Sequence, residues 1–148
     1  AKEAVGVDID EKAVETAAEN AELNGVGDRL GFLAENVLYS DFMEELGGFD
    51  CILSNPPYIE TKQIPLLDEE LSFEPRAALD GGEDGLRYYR TVTALVPHIL
   101  KRDGILIYEI GIGQCEDVSS ILKAHGYSVA VLRDYGKIDR ILVAQRNI

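Results

Sequence analysis

No apolar run in this 148-residue sequence approaches the roughly 20 residues that cross a bilayer, and no signal-peptide pattern opens it. A membrane is therefore not an expected partner. The two cysteines, Cys51 and Cys115, lie far apart and form no CxxC pair. Cys51 stands in an apolar stretch and is expected to be a buried free thiol, which suits a reducing, cytoplasmic setting. The two histidines, His98 and His125, are single and fall at or near expected helix ends, so neither a metal site nor a catalytic triad is expected. Basic residues are scarce: 14 Lys and Arg face 27 Asp and Glu, a net charge of −13. Such a surface repels a phosphate backbone, which argues against DNA or RNA held by this chain alone. Repeats, low-complexity tracts and linkers are absent as well.

What remains is a chain long enough for one domain with a real core, in which strands and helices alternate. Ala4 to Val7 is a short apolar strand ending at Asp8. Asp10 can cap a helix whose apolar positions Val14, Ala17, Ala18 and Ala21 follow helical spacing, with Asn24-Gly25 as its stop. Leu30 to Leu33 is a weak strand, residues 36 to 47 hold one short helical turn, and Phe49 to Ser54 is a strand. Residues 55 to 84 form a long polar segment with Pro and Gly; loops of that length are usually functional or disordered. Leu86, Tyr89, Val92, Val96 and Ile99 mark a helix that Pro97 should kink or shorten. Asp103-Gly104 turns into the apolar strand Ile105 to Ile110. Val118, Ile121 and Leu122 mark a helix stopped near Gly126. Ser128 to Arg133 and Ile138 to Ala144 form a closing hairpin. Helix-linked strands should be parallel and the hairpin antiparallel, which gives an α/β sheet with an antiparallel end.

In such sheets, ligands bind beyond the carboxyl ends of the strands. Asp8, Glu35-Asn36-Val37 and Asn55-Pro56-Pro57-Tyr58 collect there. Asp8 can accept hydrogen bonds from both hydroxyls of a ribose, or it can simply stand at a helix start. In the second stretch the Asn55 amide oxygen and the Pro56 carbonyl are two acceptors. The adjacent prolines hold them in fixed directions, and Tyr58 offers a ring. Side by side, two acceptors suit a planar NH₂ group with two hydrogens. The bland alternative is a Pro-Pro turn closing a strand, with Asn55 in an Asx-turn. Two other motifs fail. Asp80-Gly-Gly-Glu-Asp84-Gly85 begins like a calcium loop but has Gly82 at the third position and Thr91 at the twelfth. Gly111-Ile-Gly113 is placed like a dinucleotide loop, but its third glycine is Glu116.

"SNPPYIE" resembles the Asn/Asp-Pro-Pro-Tyr motif of S-adenosylmethionine-dependent methyltransferases acting on planar amino or amide nitrogens. "GVDIDEKAVETAAENAELNG", "FDCILSNPPYIE", "FEPRAALDGGEDGLRYYR", "GILIYEIGIGQ" and "RDYGKIDRIL" resemble, in order and spacing, the peptide chain release factor glutamine methyltransferases. The resemblance covers nearly the whole chain. It implies a Rossmann-like class I methyltransferase sheet and a cytoplasmic monomer using S-adenosylmethionine, leaving S-adenosylhomocysteine, without a metal. The implied partner is a class I peptide chain release factor, methylated on the glutamine of its Gly-Gly-Gln motif. Asp8, Asn36, Val37 and Asn55 would contact the cofactor. Asn55, Pro56, Pro57 and Tyr58 would form the substrate slot, with Asn55, Pro56 and Tyr58 acting in catalysis. Glu74 and the glycines behind it would support that slot.

The resemblance also implies a first strand and a Gly-rich loop that this sequence does not contain, so residues 1 to 148 are expected to be part of a catalytic domain and inactive alone. A gap or shifted pairing between Ala4–Asp8 and Phe49–Ser54 is expected with it, while Ile105–Ile110 still pairs with the latter. The competing readings are an adenine-amino methyltransferase acting on nucleic acid and a non-catalytic binding module.

Overall fold

A computed structural model describes residues 1–39, 46–67 and 73–147. The chain divides into two units, Ala1–Glu45 and Leu46–Ile148.

The first unit is one strand–helix–strand repeat. Strand β1 (Ala4–Asp8) leads to helix α1 (Glu11–Leu23), then to a 3₁₀ turn (Gly27–Arg29) and strand β2 (Leu30–Ala34). The Asp10 carboxylate accepts the Lys12 N–H at 2.9 Å and caps the helix, as expected. The chain leaves α1 through Asn24, whose N–H returns to the Asn20 carbonyl. Strands β1 and β2 pair in parallel from Ala4↔Leu30 to Asp8↔Ala34. Parallel pairing needs a crossover, and α1 supplies it. The expected helical turn within residues 36 to 47 falls largely on 40–45, outside the described residues.

The second unit contains strand β3 (Phe49–Ser54), a 3₁₀ turn (Ile64–Leu66), the short helix α2 (Arg76–Leu79), helix α3 (Arg87–Ile99), strand β4 (Leu100–Glu109), helix α4 (Cys115–Ala124) and strands β5 (Tyr127–Arg133) and β6 (Asp139–Arg146). Its sheet runs β3-β4-β6-β5. β3 and β4 are parallel; β6 is antiparallel to both β4 and β5, the closing hairpin expected from sequence. β4 is the partner of β3, as expected.

The core of this unit lies between the sheet and the two long helices. α3 buries Tyr89, Val92, Thr93, Val96 and Ile99, which recur at helical spacing. α4 buries Val118, Ser119 and Leu122. The sheet contributes Leu106, Tyr108 and Leu142, all fully buried. The rings of Tyr89 and Tyr108 meet edge to face with centroids 5.2 Å apart, and the Tyr108 hydroxyl lies 3.1 Å from Thr93 Oγ1. A buried phenol is thereby given a partner.

Two expectations need correction, the start of β4 and the burial of Cys51. β4 begins at Leu100, not Ile105: Phe49 pairs with Leu100 and Cys51 with Ile105, so Lys101–Gly104 bulge out opposite Asp50. The Lys101 ammonium reaches the Asp50 carboxylate there at 2.6 Å. Pro97, expected to kink or shorten the helix, lies inside α3, which ends two residues later at Ile99. It sits in the last turn, where its missing N–H costs one bond, and the Leu100 N–H closes on the Val96 carbonyl. Cys51 is exposed, as is Leu53 at 75%. Side chains alternate along a strand, and β3 lies at the sheet edge. Ile52 and Ser54 pair with Leu106 and Tyr108 on the buried face, so Cys51 and Leu53 take the opposite one.

Candidate active site

Parallel strands end together. Asp8 and Ala34 leave the first sheet at one edge, and the Glu35 N–H donates to the Asp8 carbonyl at 2.9 Å, extending the ladder by one bond. The Asp8 carboxylate is exposed, and its Oδ1 accepts the Asp10 N–H at 2.9 Å. Its second oxygen has no hydrogen-bond partner among the described residues. Asn36 is half-buried; its Oδ1 accepts the Leu38 N–H at 3.0 Å, which turns Val37 into a half-buried position beside it. An exposed carboxylate with a free oxygen, next to an amide and a small apolar side chain, fits a nucleoside: a diol for Asp8, a flat base for Asn36 and Val37.

In the second unit, Ser54 pairs with Tyr108, so Asn55 and Ile110 leave the sheet at the same edge. Asn55 is exposed, Pro56 is buried, and Pro57 and Tyr58 are half-buried. No Asx-turn forms at Asn55. Among the described residues neither its side-chain amide nor the Pro56 carbonyl takes part in a hydrogen bond. Three groups just beyond are engaged. The Tyr58 carbonyl accepts from Gln114 Nε2 at 3.0 Å, the Ile59 N–H donates to Leu79 at 3.0 Å, and the Ile59 carbonyl accepts from Gly81 at 2.8 Å.

Residues 55–67 and 73–86 are thus not a free loop. They double back, with Ile59 bridged in parallel to Asp80 and the Thr61 N–H on the Gly82 carbonyl at 2.9 Å. The Asp80 carboxylate closes the fold. It accepts from Thr61 Oγ1 at 2.6 Å, from the Gly82 N–H at 3.0 Å and from Arg76 Nε at 3.2 Å. The Thr61 hydroxyl, then the Gly82 amide and Arg76, hold its carboxyl below the usual carboxylate range. Asp84 accepts from the Leu86 N–H at 3.1 Å and pairs with Arg90, which holds its carboxyl low too. Both acids that imitated a calcium loop are therefore spent on the protein itself.

The glycines explain how close these strands come. A Cβ on Gly81 would lie 2.8 Å from the Pro57 oxygen and from Tyr58 Cα. One on Gly85 would lie 2.5 Å from the Tyr58 oxygen, at a φ of +72° that already favours glycine. The expected support for the slot comes from Leu79 to Gly85; Glu74 is exposed and bonds nothing among the described residues. The Gly111–Gly113 loop holds Gln114, a residue to which the sequence reading gave no role. Its signal was the position directly after a strand and before a helix, at the edge where Asn55 emerges. His125 serves its own helix, with Nδ1 2.9 Å from the Ile121 carbonyl. Beside the slot, a groove of about 680 Å³ is lined by Glu60, Lys62, Glu83, Asp84, Arg87 and Arg90 among others. Among the described residues no cluster of three or more His, Cys, Asp or Glu is placed to hold a metal ion, and no helix is long and apolar enough to cross a membrane.

Residues 1–65 match the family described as RMKL-like, methyltransferase domain. A protein of Agrobacterium fabrum named release factor glutamine methyltransferase is 43% identical over 145 residues, covering 96% of this chain and 48% of that protein. The chain spans about half the length of the curated relatives it matches. Among solved structures, a ribosomal protein L11 methylase from Lactobacillus delbrueckii subsp. bulgaricus aligns with a TM-score of 0.63 at 20% identity, over 100% of this chain and 60% of that one. A protein-(glutamine-N5) methyltransferase, described as release factor-specific, from Alicyclobacillus acidocaldarius aligns with a TM-score of 0.53 at 18% identity, over 99% and 81%. These structural likenesses show the fold: the Rossmann-like sheet shared by these methyltransferases.

Proposed function

The chain belongs by sequence to the release factor glutamine methyltransferases, and from that premise we propose that the protein carrying it methylates the side-chain nitrogen of the glutamine in the Gly-Gly-Gln motif of class I peptide chain release factors. The observation that carries the reading is the pair of unengaged acceptors, the Asn55 amide oxygen and the Pro56 carbonyl, just before a Tyr58 carbonyl and an Ile59 peptide that are hydrogen-bonded within the protein. A glutamine NH₂ carries two hydrogens and needs two acceptors.

S-adenosylmethionine, when bound, supplies an electrophilic methyl group and leaves as S-adenosylhomocysteine. In the first unit, Asp8 would hold its ribose and Asn36 and Val37 its base; in the second, Asn55 would accept from the substrate amide. An amide nitrogen is a poor nucleophile, because its lone pair is delocalised into the carbonyl. By accepting both N–H bonds, Asn55 and Pro56 orient that nitrogen, while Pro57 and Tyr58 wall the slot. Catalysis on this reading is positioning and preorganised electrostatics. The proton leaves readily once the nitrogen is alkylated, so no strong base is required. The net charge of −13 supports a protein substrate over a nucleic acid. The protein is taken as a cytoplasmic monomer with no membrane partner.

The test is mass spectrometry of a release factor incubated with the protein and S-adenosylmethionine, with DNA and RNA in parallel. Methylated glutamine in the Gly-Gly-Gln peptide is the expected product. Label on adenine with none on the release factor would select the nucleic-acid reading instead.

A further inference from the structure

Gln114 lies outside the Asn-Pro-Pro-Tyr stretch, yet its side-chain amide joins three backbone segments. Oε1 accepts the Gly111 N–H at 3.0 Å, and Nε2 donates to the Tyr58 carbonyl at 3.0 Å and toward the Gly85 carbonyl at 3.4 Å. Only this orientation of the amide satisfies its neighbours. Turned over, it would set its NH₂ against an N–H and its oxygen against two carbonyls.

The residue is anchored on its own side. Its carbonyl accepts the Val118 N–H at 3.0 Å, the first bond of α4, whose Val118 and Leu122 are fully buried. Gly111 follows Ile110, whose N–H donates to the Arg140 carbonyl at 2.9 Å and whose carbonyl accepts from the Arg140 guanidinium at 3.1 Å. One end of the bridge is therefore fixed to the core. The other end holds a carbonyl two residues beyond Pro56. Between the two carbonyls the ring of Pro57 fixes its φ angle, so part of a displacement of the Tyr58 carbonyl passes to the Pro56 carbonyl.

We propose that Gln114 is a positioning residue for the methyl transfer: by holding the Tyr58 carbonyl, it aims the Pro56 carbonyl at the substrate amide, without touching the substrate itself. This rests on the glutamine-methylation reading above. A misplacement of about 1 Å at such a slot can cost on the order of 10²-fold in rate.

The test uses Gln114→Met, similar in length but without the amide, and Gln114→Glu, which keeps the acceptor for Gly111 and loses both donors. Each is assayed on release factor near pH 8, with cofactor affinity measured by calorimetry. Both variants are expected to lose about 10- to 100-fold in kcat. KM for the release factor and Kd for the cofactor should stay within about threefold, because those surfaces do not depend on this bridge. Gln114→Glu should recover relative to wild type as pH falls, since a protonated carboxyl regains an O–H for the Tyr58 carbonyl; Gln114→Met should not. The proposal is overturned if either folded variant keeps kcat within threefold, if the loss lies in KM or cofactor affinity, or if Gln114→Glu shows no recovery. It is also overturned if neither variant folds, which would make Gln114 a structural staple. A wild-type protein that leaves release factor unlabelled sinks the substrate reading first, and that outcome is separate from any variant effect.

Discussion

Thr61 donates its hydroxyl hydrogen to the Asp80 carboxylate at 2.6 Å across 19 residues of chain. This bond clasps the doubled-back segment behind the candidate slot, and it gives the segment a pH dependence. The carboxyl of Asp80 is held below its usual range in the folded protein, chiefly by Thr61. A lowered folded pKa means that the unfolded chain takes the proton first. The stabilisation is therefore complete above the ordinary carboxylate pKa of about 3.9 and is lost as pH falls through the lower folded value. Denaturation of wild type and Asp80→Asn should differ most above pH 4, with the difference narrowing below it. A difference that is constant from pH 7 to pH 2 would contradict this.

Gly85→Ala places a methyl group against the Tyr58 carbonyl. The contact would be 2.5 Å, with backbone rather than with a flexible side chain, and φ is +72°. Overpacking of this kind costs about 1–3 kcal/mol. The same push displaces the carbonyl that Gln114 holds. Urea unfolding should show the loss of stability, and methylation of release factor should slow beyond what the folded fraction explains. Full activity in a folded Gly85→Ala protein would show that the Tyr58 peptide tolerates movement.

The alternation of helix and strand was legible because each strand is a short apolar run and each helix has one apolar stripe and a local stop. Val14 to Ala21 and Tyr89 to Ile99 carry that information in their spacing alone. The Asn55–Tyr58 stretch was legible as a candidate because an asparagine, two prolines and a tyrosine in that order have few structural uses. What was not legible depends on pairing between distant segments. Whether Cys51 or Ile52 faces the core is decided by register against Leu106, which period-2 alternation cannot reveal in a run apolar on both sides. The bulge opposite Asp50 let β4 start at Leu100, where Asp103-Gly104 alone reads as a turn. Gln114 was missed because its partners Tyr58 and Gly85 lie 56 and 29 residues away.

The buried hydroxyl pair in the core can be tested by a double-variant cycle. Thr93 and Tyr108 are both fully buried, with Thr93 Oγ1 3.1 Å from the phenol oxygen. Thr93→Val keeps the shape and leaves the Tyr108 hydroxyl without that partner, at a cost of about 1–3 kcal/mol. Tyr108→Phe added to Thr93→Val removes the stranded group and should return most of that stability. The two changes should therefore be strongly non-additive in chemical denaturation. Strict additivity would mean that another group, such as water, satisfies the phenol.

Asn55 separates chemistry from folding most cleanly. Its side chain is exposed and, among the described residues, bonds to nothing, so Asn55→Ala should change stability by no more than about 0.5 kcal/mol. On the proposed reading the same change removes one of two acceptors for the substrate NH₂, and kcat should fall on the order of 10²-fold. Asn55→Asp keeps an oxygen acceptor in the same place and should lose less than Asn55→Ala. A merely structural asparagine, closing a Pro-Pro turn, predicts the reverse pattern: a stability loss in both variants and no ranking between them in rate. Thermal unfolding and steady-state methylation of release factor, measured on the same preparations, distinguish the two. Methylation by Asn55→Ala within threefold of wild type would remove Asn55 from the site.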